Sequence, residues 1–276
     1  MKRIYWLWLA IGCGLDPFAT KDSGGDWQDQ DRGGGDADAD TDADTDADAD
    51  ADITYPTEDM TNILLYHGHG GPDGLDPYGW GVFNSIIPNH WRDAHGWYPY
   101  WQPNLPDSDG FAYYRMIALI GPGASADVSF SEADRIKLRR TLDNGTRIVL
   151  FMDRGTCDNP EVDALLQELG VTMRMRGDGA GVRLQVSDVI IREDQQITAN
   201  VGSVLFTDPC YISKNDATPL ITWERDGEKR VLAAVERPGS GGDVVIVGDF
   251  EILDDSGNFY ESDNHTLVDN LATVKP

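Results

Sequence analysis

The sequence has little positive charge: 22 Lys and Arg residues stand against 48 Asp and Glu residues, for a net charge of −26. A surface this acidic repels nucleic acid and anionic lipid, so neither is an expected partner. Cysteine is also scarce, with 3 residues in a chain of 276. The opening apolar run, Ile4 to Ile11, is much shorter than the roughly 20 residues that a membrane-spanning helix needs.

The N-terminus has the features of an export signal. Lys2 and Arg3 precede the apolar run, which ends at Gly12 and Cys13. A basic segment, a short apolar segment and a small residue at the cleavage site are typical of secretory signals. A Cys after a small residue at this point resembles a bacterial lipoprotein signal. The resemblance implies a signal peptide of residues 1–12, a lipid on Cys13 and, from the Gly that follows, an outer-membrane location. A short N-terminal core helix is the alternative.

The next segment is an acidic tether. Residues 13–52 end in the tract DADADTDADTDADADAD and carry basic residues only at Lys21 and Arg32. Such a composition cannot bury enough apolar surface to fold, and like charges extend the chain. Alternating Asp is also a feature of calcium loops. The tract lacks the turn-forming Gly and the bidentate Glu of those loops, so we expect only diffuse attraction of cations.

Residues 53–276 are predicted to form one α/β domain. Apolar strand candidates alternate with helix candidates, and they cover Asn62–Tyr66, Tyr114–Ile120, Arg147–Met152 and Asp243–Val247. Uninterrupted apolar strands between helices indicate a three-layer, mostly parallel sheet with helices on both faces. The stretch 171–235 has shorter, alternating runs and is predicted to be a β-rich insertion.

Three helices have sequence signals at their ends. One runs from Ser131, with Asp134 as capping partner, to the Asn144-Gly145 stop, and Ala133, Ile136 and Leu142 are expected on one side of it. A second begins at Asn159-Pro160. A third is expected from Asn264 to Ala272.

Three stretches carry a family resemblance: NILLYHGHGG, YRMIALIGPGASADVSFSEADRIKLRRTLDNGTRIVLFMD and VLAAVERPGSGGDVVIVGDFEILDDSGNFYESDNHTLVDNLA. Over about residues 60–274 their order resembles the class I glutamine amidotransferase-like superfold, a flavodoxin-like fold. It is most similar to the non-catalytic branches found in bacterial envelope proteins and in gliding-type ABC transporters. The resemblance implies an envelope domain that binds without turnover.

The chain departs from the active amidotransferases at the catalytic positions. Those enzymes carry a nucleophilic Cys in a G-x-C-x-G turn after a central strand, and a His-Pro-Glu sequence near the end. In this chain Asp153 lies near the position of the nucleophilic Cys, and Cys157 lies four residues later. The sequence Gly248-Asp249-Phe250-Glu251 stands where the enzymes have His-Pro-Glu. No His is readable beside Cys157 to hold a thiolate. We therefore assign no catalytic residue and expect no glutamine hydrolysis.

Several polar residues are predicted at the strand ends where ligands of α/β sheets bind. His67 and His69 lie two residues apart, so both imidazoles could face one zinc, iron or other divalent ion together with a nearby carboxylate. The alternative is a glycine-rich turn whose histidines bond to the backbone, with no cofactor. The predicted ligand-binding residues are His67, His69, Gly121, Asp153, Asp249 and Asn264, with His265 close by.

Cys157 and Cys210 remain after lipidation of Cys13. In an oxidising envelope they could form a disulfide, and free thiols are the alternative.

Tryptophans are concentrated between the first two apolar strands. They could pack over the sheet as a lid or stack on the rings of a glycan. They are Trp80, Trp91, Trp97 and Trp101.

These observations leave three hypotheses for function. The first is a lipid-anchored envelope protein that binds another envelope protein or a glycan without turnover. The second is a metal-dependent hydrolase that uses His67 and His69. The third is an architectural element.

Overall fold

The computed structural model describes residues 62–66, 91, 98–102, 105, 114–122, 130–152, 154–177, 185–213, 216–225, 227–239, 241–253 and 262–273. The chain divides into two units, Met1–Asp48 and Ala49–Pro276, and every described residue lies in the second. The predicted signal 1–12, Cys13 and the tether 13–52 lie outside the described residues.

The described residues form twelve strands: β1 Asn62–Tyr66, β2 Tyr98–Gln102, β3 Tyr114–Ile120, β4 Arg147–Phe151, β5 Arg174–Arg176, β6 Gln185–Val186, β7 Val189–Ile191, β8 Phe206–Thr207, β9 Tyr211–Ser213, β10 Thr218–Arg225, β11 Glu228–Glu236 and β12 Val244–Val247. The α-helices are α1 Glu132–Asp143, α2 Pro160–Glu168 and α3 Asn264–Thr273. This is the α/β class that the sequence predicts.

The main sheet has eight strands in the order β2-β1-β3-β4-β12-β11-β10-β7. From β2 to β12 all neighbours are parallel, whereas β11, β10 and β7 add antiparallel strands. The segment predicted to be a β-rich insertion therefore extends the main sheet. It also forms two small sheets, β5-β9 and β6-β8.

Alternate residues of each central strand belong to two different core clusters. In β4, Val149 and Phe151 pack with Leu267 and Leu271 of α3. Ile148 and Leu150 of the same strand pack in the cluster that contains buried residues of α1 and α2. Successive strand residues point to opposite faces, so apolar side chains cover both faces of the sheet. This explains why the central strands read as unbroken apolar runs.

The predicted helix caps form. The Ser131 hydroxyl accepts a hydrogen bond from the Asp134 N–H at 3.1 Å, and it donates to the Asp134 carboxylate at 2.6 Å. The Asn159 side chain accepts from the Glu161 N–H at the start of α2. The prediction for Ala133 and Ile136 was wrong: both are exposed, Ile136 by 38%, while Leu138 and Leu142 are buried.

No helix in the described part of the chain is long and apolar enough to cross a membrane.

Candidate functional site

The parallel strands β1, β3, β4 and β12 end at one edge of the main sheet, which we call the carboxyl edge. Backbone hydrogen bonds continue past the strand ends: the Gly121 N–H donates to Phe151 O at 2.7 Å, and the Met152 N–H donates to Val247 O at 2.9 Å. Gly121 has a φ of 53°, a conformation that favours glycine, and it turns the chain after β3. This edge is where ligands bind in open α/β sheets.

Asp249 follows β12 at this edge and is fully buried. One carboxylate oxygen accepts a hydrogen bond from the Thr207 N–H, and the other accepts from the Glu251 N–H at 2.7 Å. A buried carboxylate is stable only when such donors compensate it. Asp249 thus connects β8 to the turn after β12, and these bonds are structural. Its predicted role with a ligand stays a prediction.

Asn264, the first residue of α3, is also fully buried. Its amide oxygen accepts from the Leu205 N–H at 3.1 Å, and its amide nitrogen donates to Leu205 O at 3.2 Å and to Ile252 O at 3.4 Å. The side chain therefore pairs with the peptide groups of two loops. His265 contacts near neighbours, with Nδ1 3.3 Å from Ser262 O and Nε2 3.3 Å from the Thr266 hydroxyl.

Cys157 and Cys210 form a disulfide with their Cα atoms 5.6 Å apart. Cys157 follows the short 3₁₀ turn Arg154–Thr156 beyond β4, and Cys210 is fully buried beside β9. The Cys210 N–H donates to Gly248 O at 2.6 Å, so the bond lies next to the end of β12. A Cβ atom at Gly248 would lie 2.3 Å from Cys210 O, so only glycine fits there. A sulfur held in this bond is not a thiolate and cannot attack a substrate.

Thr207 is a feature of this edge that the sequence did not indicate. Thr207 is 1% exposed, and its hydroxyl has no hydrogen-bond partner among the described residues. A buried hydroxyl without a partner costs about 1–3 kcal/mol. The backbone of the same residue binds Asp249, so the hydroxyl lies close to the end of β12.

Burial raises the pKa of Tyr66, the last residue of β1, well above its usual value, and the nearby Asp134 carboxylate adds to the effect. The phenol is therefore neutral at physiological pH. It belongs to the cluster that contains α1 and α2 residues.

Of the four tryptophans discussed above, the structure describes the side chain of one. Trp91 is 2% exposed, and its indole N–H donates to the Asp269 carboxylate of α3 at 3.0 Å. It packs as part of the core, which agrees with the lid interpretation for this residue.

The histidine site falls outside what the structure describes. His67, His69 and Asp153 are not among the described residues. Within the described ranges, no group of three or more His, Cys, Asp or Glu side chains could hold a metal ion.

No protein-family model matches this chain, and no curated protein sequence matches it. Solved structures do match. The mmIFT52 N-terminal domain aligns with a TM-score of 0.54 and 15% identity over 75% of this chain and 94% of that domain. A ThuA-like protein from Bacteroides uniformis ATCC 8492 aligns with a TM-score of 0.53 and 12% identity over 79% of this chain and 91% of that protein. ThuA-like proteins have a glutamine amidotransferase-like fold, so the resemblance noted in the sequence holds at the level of the fold.

Proposed function

We propose that this chain is a lipid-anchored protein of the bacterial envelope whose domain binds another envelope protein or a glycan without turnover. We assign the domain to the three-layer, flavodoxin-like architecture of the non-catalytic amidotransferase-like branch. The Cys157–Cys210 disulfide is the observation that carries this proposal.

The disulfide supports an absence of amidotransferase chemistry. Active members need a free thiolate after a central strand, and the cysteine that follows β4 here is bonded to Cys210. Asp249, which stands where the His-Pro-Glu sequence would be, uses both carboxylate oxygens to hold backbone N–H groups. The Cys157 sulfur is therefore not arranged as a nucleophile, and the Asp249 carboxylate is not arranged as a base.

The same bond supports the proposed location. Structural disulfides persist in oxidising compartments such as the periplasm and the cell surface, and are rare in the cytosol. Together with Cys13 after a short apolar run and the acidic tether, it favours attachment to the outer membrane. The net charge of −26 argues against nucleic acid as the partner.

The carboxyl edge is the proposed binding surface, and the Asp208 carboxylate provides a test. Asp208 follows β8 at this edge, its side chain is partly exposed, and its φ of 52° is a conformation that Asn also adopts. Asp208→Asn removes the negative charge and keeps the shape of the side chain. We expect this variant to stay folded, by circular dichroism, and to bind the partner more weakly.

Asp143→Asn is the matched control, because it also removes one exposed carboxylate charge. Asp143 ends α1 shortly before β4, at the opposite edge of the sheet, and its carboxylate accepts from Arg139 Nε at 3.0 Å. This variant should lose at most about 1 kcal/mol of stability and keep its binding.

Binding is measured with the full chain, by cosedimentation with purified peptidoglycan and by cross-linking to envelope proteins. Retention by the wild type and by Asp143→Asn, with weaker retention by Asp208→Asn, supports the proposal. Ammonia release from glutamine, or equal retention of all three proteins, contradicts it.

A further inference from the structure

A cavity of about 370 Å³ opens at the amino edge of the main sheet, opposite the carboxyl edge. Its walls come from the start of β4, the paired ends of β10 and β11, the segment before β12 and the loop after β7. The volume is in the range of roughly 300–1,000 Å³ that small-molecule sites occupy. No described residue of the carboxyl edge lines it, so it is a separate site.

One ion pair in the wall is complete. Arg147 Nε and Nη2 donate to the two carboxylate oxygens of Asp243 at 2.6 and 2.8 Å, and Arg147 Nη1 donates to Leu271 O at 2.7 Å. Both side chains are 1% exposed. A bidentate pair of this kind satisfies the charge of both partners.

The second carboxylate in the wall is compensated as well. Arg192 Nε and Nη2 donate to the two oxygens of Asp194 at 2.6 and 2.9 Å. These hydrogen bonds lower the pKa of Asp194, so the carboxylate stays ionised and paired. Each acidic residue of the cavity therefore has its own guanidinium.

Arg237 is the second cation in the described wall of the cavity. Its Nη2 lies 4.0 Å from Asp243 Oδ2, beyond hydrogen-bonding distance, and both oxygens of Asp243 already accept from Arg147. The Arg237 side chain is 58% exposed, so a ligand can reach it. Among the described residues that line the cavity, Arg237 is thus the cation that makes no hydrogen bond to a carboxylate.

We propose that this cavity binds a small molecule with a single carboxylate and several hydroxyl groups, such as a sugar acid. Arg237 binds the carboxylate, because the planar guanidinium matches a carboxylate in two parallel hydrogen bonds. Gln196 and Thr218 supply polar groups for hydroxyls, and Ile197 and Val235 contact the carbon skeleton. A phosphate dianion is disfavoured, because the single guanidinium of Arg237 balances only one of its two charges.

Calorimetric titration of the full chain with glucuronate tests this inference. Glucose is the matched probe without a carboxylate, and inorganic phosphate is the contrasting anion. We expect saturable binding of glucuronate, no binding of glucose and weaker binding of phosphate. Arg237→Gln should weaken glucuronate binding by about tenfold or more.

Arg225→Gln is the control for the loss of one positive charge. Arg225 is exposed and lies over the Trp223 ring on β10, and it does not line the cavity. This variant should bind glucuronate like the wild type, and circular dichroism should show that both variants are folded. The inference is overturned if glucuronate does not bind, if glucose binds equally well, if phosphate binds more tightly, or if the two variants behave alike.

Discussion

Removing the Cys157–Cys210 disulfide should destabilise the domain strongly. The two cysteines are 53 residues apart in the sequence. Cross-linking a loop of this length restricts the unfolded chain and stabilises the folded state by about 4 kcal/mol in the chain-entropy treatment. Because whole domains are stable by only about 5–15 kcal/mol, the loss is a large fraction of the total.

Urea unfolding of three samples measures this effect: the oxidised wild type, the reduced wild type and Cys157→Ala/Cys210→Ala. The reduced protein should lose about 4 kcal/mol relative to the oxidised one. The double variant should lose slightly more, because Cys210 is fully buried and its truncation removes packing.

The urea dependence of the unfolding free energy shows whether the disulfide acts by restricting the unfolded chain. An open unfolded chain exposes more surface than a cross-linked one, so the dependence of the free energy on urea should be steeper without the disulfide. A loss under about 1 kcal/mol with an unchanged slope would refute the reasoning, because the cross-link would then not restrict the unfolded state.

Three further predictions concern buried polar groups. Arg147→Met strands the Asp243 carboxylate and should cost about 3–5 kcal/mol in urea unfolding, whereas Arg147→Met/Asp243→Leu should recover most of it. Asn264→Asp replaces the donor that faces Leu205 O and Ile252 O with an anion, and should cost about 3 kcal/mol in the same assay. Burial raises the pKa of Tyr66, so above about pH 10 the unfolded state loses its proton first and stability falls as pH rises. Tyr66→Phe should show a shallower fall between pH 9 and 11, roughly the range in which a free tyrosine ionises.

Each of these predictions has a contradicting outcome. A double variant as unstable as Arg147→Met would show that packing, not the stranded charge, sets the cost. If Asn264→Asp has wild-type stability, the Leu205 and Ile252 carbonyls must bond to water once the Asn264 amide nitrogen is absent. Parallel alkaline profiles for the wild type and Tyr66→Phe would assign the loss of stability to another group.

The regular elements could be predicted because their signals are local. The apolar runs of β1, β3 and β4 and the caps at Ser131 and Asn159 depend on neighbours within a few residues. Ile136 was misplaced because the position of the helix on the sheet decides which side is buried, and that position depends on residues far along the chain.

Long-range polar pairing could not be predicted. The sequence places Arg147 at the start of an apolar strand and does not indicate its partner, Asp243, which is 96 residues away. Asp249 and Asn264 were placed correctly near strand and helix ends, but their partners are Thr207 in the two-residue strand β8 and Leu205 in the loop before it. Hydrophobic periodicity does not indicate such contacts, because these polar side chains bond to backbone groups of distant segments and do not repeat along one face of a helix or strand.

Differential alkylation of the full chain isolated from a bacterial envelope tests the central claim most directly, because it reads all three cysteines by mass spectrometry. We expect Cys157 and Cys210 to be labelled only after reduction, and Cys13 to be labelled neither before nor after, because a lipid occupies its sulfur. Labelling of Cys157 before reduction would contradict the account, since a free thiol after β4 would restore the group that a nucleophilic mechanism needs.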